Sequence, residues 1–238
     1  MGLFDMFGGS RSDVNLTRRA LDEAQDPAAQ DDSAVTRLIQ QVLQIGIEGR
    51  GPFGSASSVA DKARVKAGSA EAAIDDVVAQ HVRGGAIGGF ATSLGGFVTM
   101  VAAVPANVFE FYVQATRMVA GVAHLRGHDV HDPEIRAAIL LTLVGSNSAG
   151  ILAKAGINLG GGTLSQLASR SLPRSAVMLL EKAIGFRILR GVGERALARL
   201  GKAIPVAGGL IGAGVDWAMM RGIAEQARHE FPVVVRDA

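Results

Sequence analysis

Asn107, Glu110, Gln114, Arg117, Gly121 and His124 are spaced alternately three and four apart, which sets them in a line along one face of a helix. An amide, two opposite charges and an imidazole on one line have the makings of proton transfer, ion pairing or plain solvation. Phe109, Phe111, Tyr112, Val113, Met118, Val119 and Val122 cover the rest of that helix. So wide an apolar surface favours a partly buried seam over a solvated stripe, with Glu110 and Arg117 satisfying each other through Gln114. Such a seam serves as structural glue, as a switch or as the lining of a cavity.

The run His124-Leu-Arg-Gly-His128-Asp129-Val-His131-Asp132 is the densest group of metal-ligand types. Gly127 should end the helix before His128, so two histidines one turn apart never share a face, and no Glu stands where a zinc protease needs one. The expected role is an interhelix turn, with His124, His128 and Asp129 as the low-ranked ligand set and no metal assigned. Ser146 and Ser148 lack the glycine frame of a nucleophile elbow, and Gly201-Lys202 is followed by Ala203 instead of the hydroxyl residue of a phosphate loop. The chain has no cysteine, which excludes disulfides, thiolate metal sites and cysteine nucleophiles. No catalytic residue and no cofactor is assigned, and the reading leans away from an enzyme. A small-ligand or metal-dependent enzyme built on Glu110, Arg117 and His124 is the alternative.

Glycine carries the other pattern. Gly84, Gly88, Thr92 and Gly96 recur every four residues, Gly85, Gly89 and Ser93 form the neighbouring row, and Gly208 and Gly212 repeat the spacing. Small residues at i and i+4 let two helix backbones approach closely, in lipid or in a tight soluble core. The 26 residues between Arg83 and Glu110 carry no charge, a length that suits either a membrane span over 84–104 or buried packing.

The elements that hold these residues read as helices throughout. Ser33 caps an amphipathic helix through Val35, Leu38, Ile39, Val42 and Leu43, which Gly49, Gly51 and Pro52 break. A second helix follows Ser69. Pro105 should open a long helix ending at Gly127, Asp132 and Pro133 start the next, and Thr163 with Gln166 forms a capping-box pair. Residues 173–200 form a basic amphipathic helix, and Pro205 starts the last. Nothing alternates with period two, so the fold class is all-α, a compact multi-helix domain of close-packed, glycine-rich helices.

Charge separates the two halves of the chain. Residues 1–80 hold eight basic and twelve acidic side chains, whereas 137–202 hold nine basic ones against Glu181 and Glu194. An anionic surface is the natural partner of the second group. Lys182, Arg187, Arg190, Arg199 and Lys202 are the expected contacts, with Val177, Leu180, Ile184, Ile188 and Leu189 as an apolar face that favours lipid or a partner helix over nucleic acid. At the front, Leu3, Phe4, Met6 and Phe7 make an apolar tip able to wedge among headgroups. No basic secretory leader precedes it, which points to the cytoplasm. Residues 1–32 are expected to be a flexible tail holding at most one short polar helix near Leu16 to Ala24, 33–232 the helical domain and 233–238 a short tail.

The run from His81 to Arg136 resembles the EcsC family, above all Gly84-Gly85-Ala86-Ile87-Gly88-Gly89-Phe90, Gly95-Gly96-Phe97, Gln114-Ala115-Thr116-Arg117-Met118 and Gly127-His128-Asp129. Ile204 to Asp216 is similar to the C-terminal segment of that family. The resemblance covers roughly residues 34–232 and implies a bacterial helical protein near membranes, with no mechanism to carry over. The combined expectation is a non-enzymatic, cytoplasmic, membrane-associated protein that binds or inserts into anionic membranes as an accessory to transport or remodelling. A membrane-protein partner and homo-oligomerisation go with it. A soluble homo-oligomeric assembly module is the competing class.

Overall fold

The computed structural model describes residues 11–25, 33–50, 54–93, 96–145, 148–169, 174–200 and 205–234, with backbone alone at 25, 33, 84–93, 96–104, 168–169, 174, 190–200 and 205–213. The helices are α1 (Arg11–Gln25), α2 (Ser33–Glu48), α3 (Ala56–Ala67), α4 (Ala70–Ser93), α5 (Gly96–Leu125), α6 (Pro133–Leu143), α7 (Ser148–Lys154), a 3-10 turn (Leu164–Ser169), α8 (Arg174–Leu200) and α9 (Pro205–Glu230). No strand occurs among the described residues, so the all-α expectation holds.

Local chemistry accounts for the boundaries. The Asp132 carboxylate accepts from the amides of Glu134 (2.8 Å) and Ile135 (3.2 Å), and Pro133 follows it at the first helical position. Gly127 has φ of +91°, the left-handed conformation that ends α5 without a Cβ penalty. Helix α3 has a Ser55 cap whose hydroxyl accepts from Ser58 (3.2 Å) and a left-handed Gly68 at its end. The sequence reading had placed no helix over α3.

Two expectations about the elements are corrected. Pro105 lies inside α5, one continuous helix from Gly96 to Leu125. It supplies no N–H to the preceding turn, and packing of the following two-thirds of the helix outweighs that loss. The short helix expected near Leu16 to Ala24 is longer, α1 over residues 11–25, and it packs on α2, α5 and α8 with Ala20, Leu21 and Ala24 buried. Leu164 opens a 3-10 turn whose first amide is capped by the Glu230 carboxylate at 2.6 Å.

Helices α4 and α5 run antiparallel. Arg126 near the end of α5 bonds Glu71 at the start of α4 (3.2 Å), and Gly121 packs on Val77. The charge-free stretch from 84 to 109 is therefore divided between two helices that double back. Helix α9 lies antiparallel along α4 as well, with Arg228 on Asp75 at 2.5 Å. Among the described residues no helix is long and apolar enough to cross a membrane.

The core sits between α2, the second half of α5, α6 and α8. Its fully buried members include Leu43, Met118, Ile139, Leu141, Leu180 and Ile184, each contributing roughly 1.5–3 kcal/mol relative to exposure. Two glycines bring helices into this core. A Cβ on Gly46 of α2 would lie 2.6 Å from Cγ2 of Thr116 on α5, and one on Gly185 of α8 would lie 2.6 Å from Cγ1 of Val35 on α2.

Candidate functional site

The polar line on α5 runs through several environments, from half-buried to buried. Asn107, Glu110 and Gln114 are half-buried, Arg117 is buried, and His124 is half-exposed with Nε2 2.9 Å from Oδ1 of Asp61 on α3. Arg117 donates through Nη2 to the carbonyl of Ile45 on α2 at 3.4 Å. Among the described residues no ion pair joins Glu110 to Arg117, contrary to the expected relay through Gln114. Seven residues of helix separate the two by about 10 Å, and the arginine turns across to α2 instead.

His81 on α4, which the sequence reading does not place near Arg117, is buried within reach of its charge. Its Nδ1 donates to the carbonyl of Val77 at 2.8 Å. Burial, with the charge of Arg117 acting in the same direction, brings its pKa down to about 4. Burial also works against the charge of Arg117 itself. Beside it, the hydroxyl of Thr116 has no hydrogen-bond partner among the described residues. Glu110 has been pushed up to about 7 by burial. His81 and Arg117 lie at the junction of α2, α4 and α5, with a neutral imidazole beside a guanidinium. The pair can fix how those helices meet.

The histidine-rich turn divides its groups among separate tasks. The His128 Nε2 donates to the carbonyl of Pro232 (2.8 Å), its ring meets Phe231 edge-on at 5.4 Å, and burial lowers its pKa. Asp129 accepts from the amide of His131 at 2.9 Å. Arg126 donates to the carbonyl of Phe231 at 2.9 Å as well as to Glu71. These contacts strap the segment after α9 to the α5–α6 turn. Among the described residues no group of three or more His, Asp or Glu could hold a metal ion.

Helix α8 corrects another expectation. Leu180, Ile184, Ile188 and Leu189, read as a face for lipid or a partner helix, are buried against the molecule's own core, and Gly185 seats them on Val35 and Ile39 of α2. The amphipathic pattern was read correctly and its partner was not. The face left outward holds Met178 and Leu179, about 60% exposed, with exposed Lys182 and Arg187 and half-buried Phe186. Arg190 and Arg199 belong to α8, but their side chains lie outside the described residues, as do Lys202 and the tip residues Leu3, Phe4 and Phe7. Gly84, Gly85, Gly88 and Gly89 fall on α4, Gly96 on α5, and Gly208 and Gly212 on α9, and what surrounds them is likewise outside the described residues.

The other polar cluster absent from the sequence reading pins α1. Asp13 is fully buried, its carboxylate paired with Arg50 at 2.6 Å and bonded by the Gln41 amide. Glu23, two to three turns on, accepts from the amides of Ala34 (3.2 Å) and Val35 (3.4 Å) at the start of α2. A signal was present: Asp13, Thr17, Ala20, Leu21 and Ala24 recur at helical spacing, though only one of them is a large apolar residue.

What this geometry defines is a helical packing domain whose polar side chains answer one another across helix junctions. Residues 28–233 match the model of the EcsC protein family, and the chain belongs to that family. No curated protein and no solved structure matches it.

Proposed function

We propose that this EcsC-family chain is a non-enzymatic module that associates with anionic membranes through the outward face of α8. The observation that supports the reading is the composition of that face after the core has taken the other. Met178 and Leu179 stand exposed with Lys182 and Arg187 around them, an apolar pair within basic residues. Residues 174–202 add Arg174, Arg190, Arg195, Arg199 and Lys202 against only Glu181 and Glu194. Apolar side chains enter the headgroup boundary while basic ones meet anionic lipid, each contributing about 1 kcal/mol near the surface.

Co-sedimentation with vesicles tests this directly. Binding should need anionic lipid, weaken as salt rises, and drop on Met178→Glu with Leu179→Glu, two exposed changes that leave the core intact. Absence of binding to anionic vesicles at low salt would end the proposal.

A further inference from the structure

Helix α1 lies ahead of the family-matched region, in the part of the chain where acidic residues outnumber basic ones. By composition it is balanced, with Arg11, Arg18 and Arg19 against Asp13, Asp22 and Glu23. Folding separates these charges. Asp13 is buried on Arg50 and Gln41, and Glu23 is spent on the first amides of α2. Arg11, Arg18 and Arg19 are all exposed, together with Ser12, Asn15 and Asp22. Two of the three carboxylates have been turned to the protein and every guanidinium to the outside. A helix that is neutral in sequence carries a basic outer face.

Helix α1 borders α8. The two helices pack on each other and both rest on α2. One residue of α2 serves as a common mark: Val35 gives its amide to Glu23 of α1, and its Cγ1 is what a Cβ on Gly185 of α8 would strike. Arg18 and Arg19 are within about one and a half helical turns of Glu23, and Arg187 is within one turn of Gly185. Arg18 and Arg19 of α1 and Arg187 of α8 therefore stand at about the same level of two neighbouring helices, with Arg11 about three turns from Glu23 on α1.

We infer that the outward face of α1, through Arg11, Arg18 and Arg19, extends the basic face of α8 into one two-helix surface that docks on an anionic lipid bilayer. The inference rests on the membrane reading of α8. Charge complementarity selects the occupant: a broad basic surface with Met178 and Leu179 at its edge matches headgroups above an apolar layer, whereas a nucleic-acid backbone has no use for the apolar pair. Spreading the basic residues over two helices also makes attachment bivalent, so each helix raises the effective concentration of the other at the surface.

The test uses the full chain and vesicles of phosphatidylserine in phosphatidylcholine. Arg11→Gln, Arg18→Gln and Arg19→Gln together should weaken binding about a hundredfold and flatten its salt dependence. Lys62→Gln, Arg64→Gln and Lys66→Gln on the exposed side of α3 remove the same number of charges and should leave binding near that of the unaltered chain. Unchanged circular dichroism and melting temperature in both variants show that the fold is retained. If the unaltered chain binds vesicles and the α1 variant binds equally well, or both variants lose binding alike, the α1 face is overturned while α8 stands. If the unaltered chain ignores vesicles, or retains only a nucleic-acid oligomer, the membrane reading falls and this inference with it.

Discussion

Helices α1 and α8 rest on the same helix, α2, by opposite means. Helix α8 is held by shape: Leu180, Ile184 and Ile188 fill the core, and a glycine admits Val35 and Ile39. Helix α1 is held by polar chemistry, with only Leu21 as a large buried residue and carboxylates at both ends doing the fastening. The apolar pattern of α8 announces a helix but not which neighbour receives it. The polar pattern of α1 announces little, because a carboxylate turned inward looks in sequence like one turned out.

The strongest way to break that comparison is to remove a fastening. Arg50→Met takes the guanidinium from buried Asp13, whose carboxylate keeps the Gln41 amide, and should cost about 2–3 kcal/mol, the loss of a charge-assisted bond to a buried group. Chemical denaturation measures the loss, and hydrogen exchange should show it concentrated in α1. A loss spread evenly over α8 would mean that the two helices are not fastened independently.

Glu110 sharpens the contrast, as a carboxylate held by burial without the donors that serve Asp13. Its pKa is raised to about 7 from 4.5, so the folded state binds more protons between those values and the residue destabilises the fold as pH rises. Glu110→Gln should therefore gain about 2 kcal/mol above pH 7, and the gain should vanish below 4.5. His81 has the opposite slope: its pKa falls to about 4 from 6.5, so stability is lost as pH drops through that window. The two offset each other between 4.5 and 6.5. Thermal melts of Glu110→Gln across that range should reveal the acid sensitivity of His81.

For α8 the matching test is Gly185→Ala, whose new methyl meets Val35 Cγ1 at 2.6 Å and Ile39 Cγ1 at 2.8 Å. Overpacking of that kind costs roughly 1–2 kcal/mol, read as a shift in the denaturation midpoint. The smallest effect is expected at Glu181 on the same helix. Burial raises its pKa despite the bond from Gln40 at 3.3 Å, so Glu181→Gln should leave stability within about 0.5 kcal/mol, with any gain confined to high pH.

Much of the architecture was legible because it depends on local signals. Asp132 with Pro133, Gly127, Ser69 and the Pro205 that opens the last helix all act within one turn of where they stand. Family membership was legible too, from glycine and apolar motifs between His81 and Asp216. The failures share a cause, which is that partners lie far apart in sequence. Nothing near Arg117 predicts that it will choose the carbonyl of Ile45, and nothing near Asp13 predicts Arg50. Among the described residues single glycines at 46 and 185 bring helices close, while the surroundings of the dense glycine rows lie outside them. Glycine count measures permission for contact, and only the neighbour decides whether it is used.

The bond between Asp75 and Arg228 spans 153 residues. During synthesis at 5–20 residues per second, α4 must wait about 8–30 seconds on the ribosome for the helix that will lie against it. Over that interval its glycine-rich, charge-free half has α5 as a neighbour and no α9. A newborn chain of this design has more use for a chaperone than its finished form does.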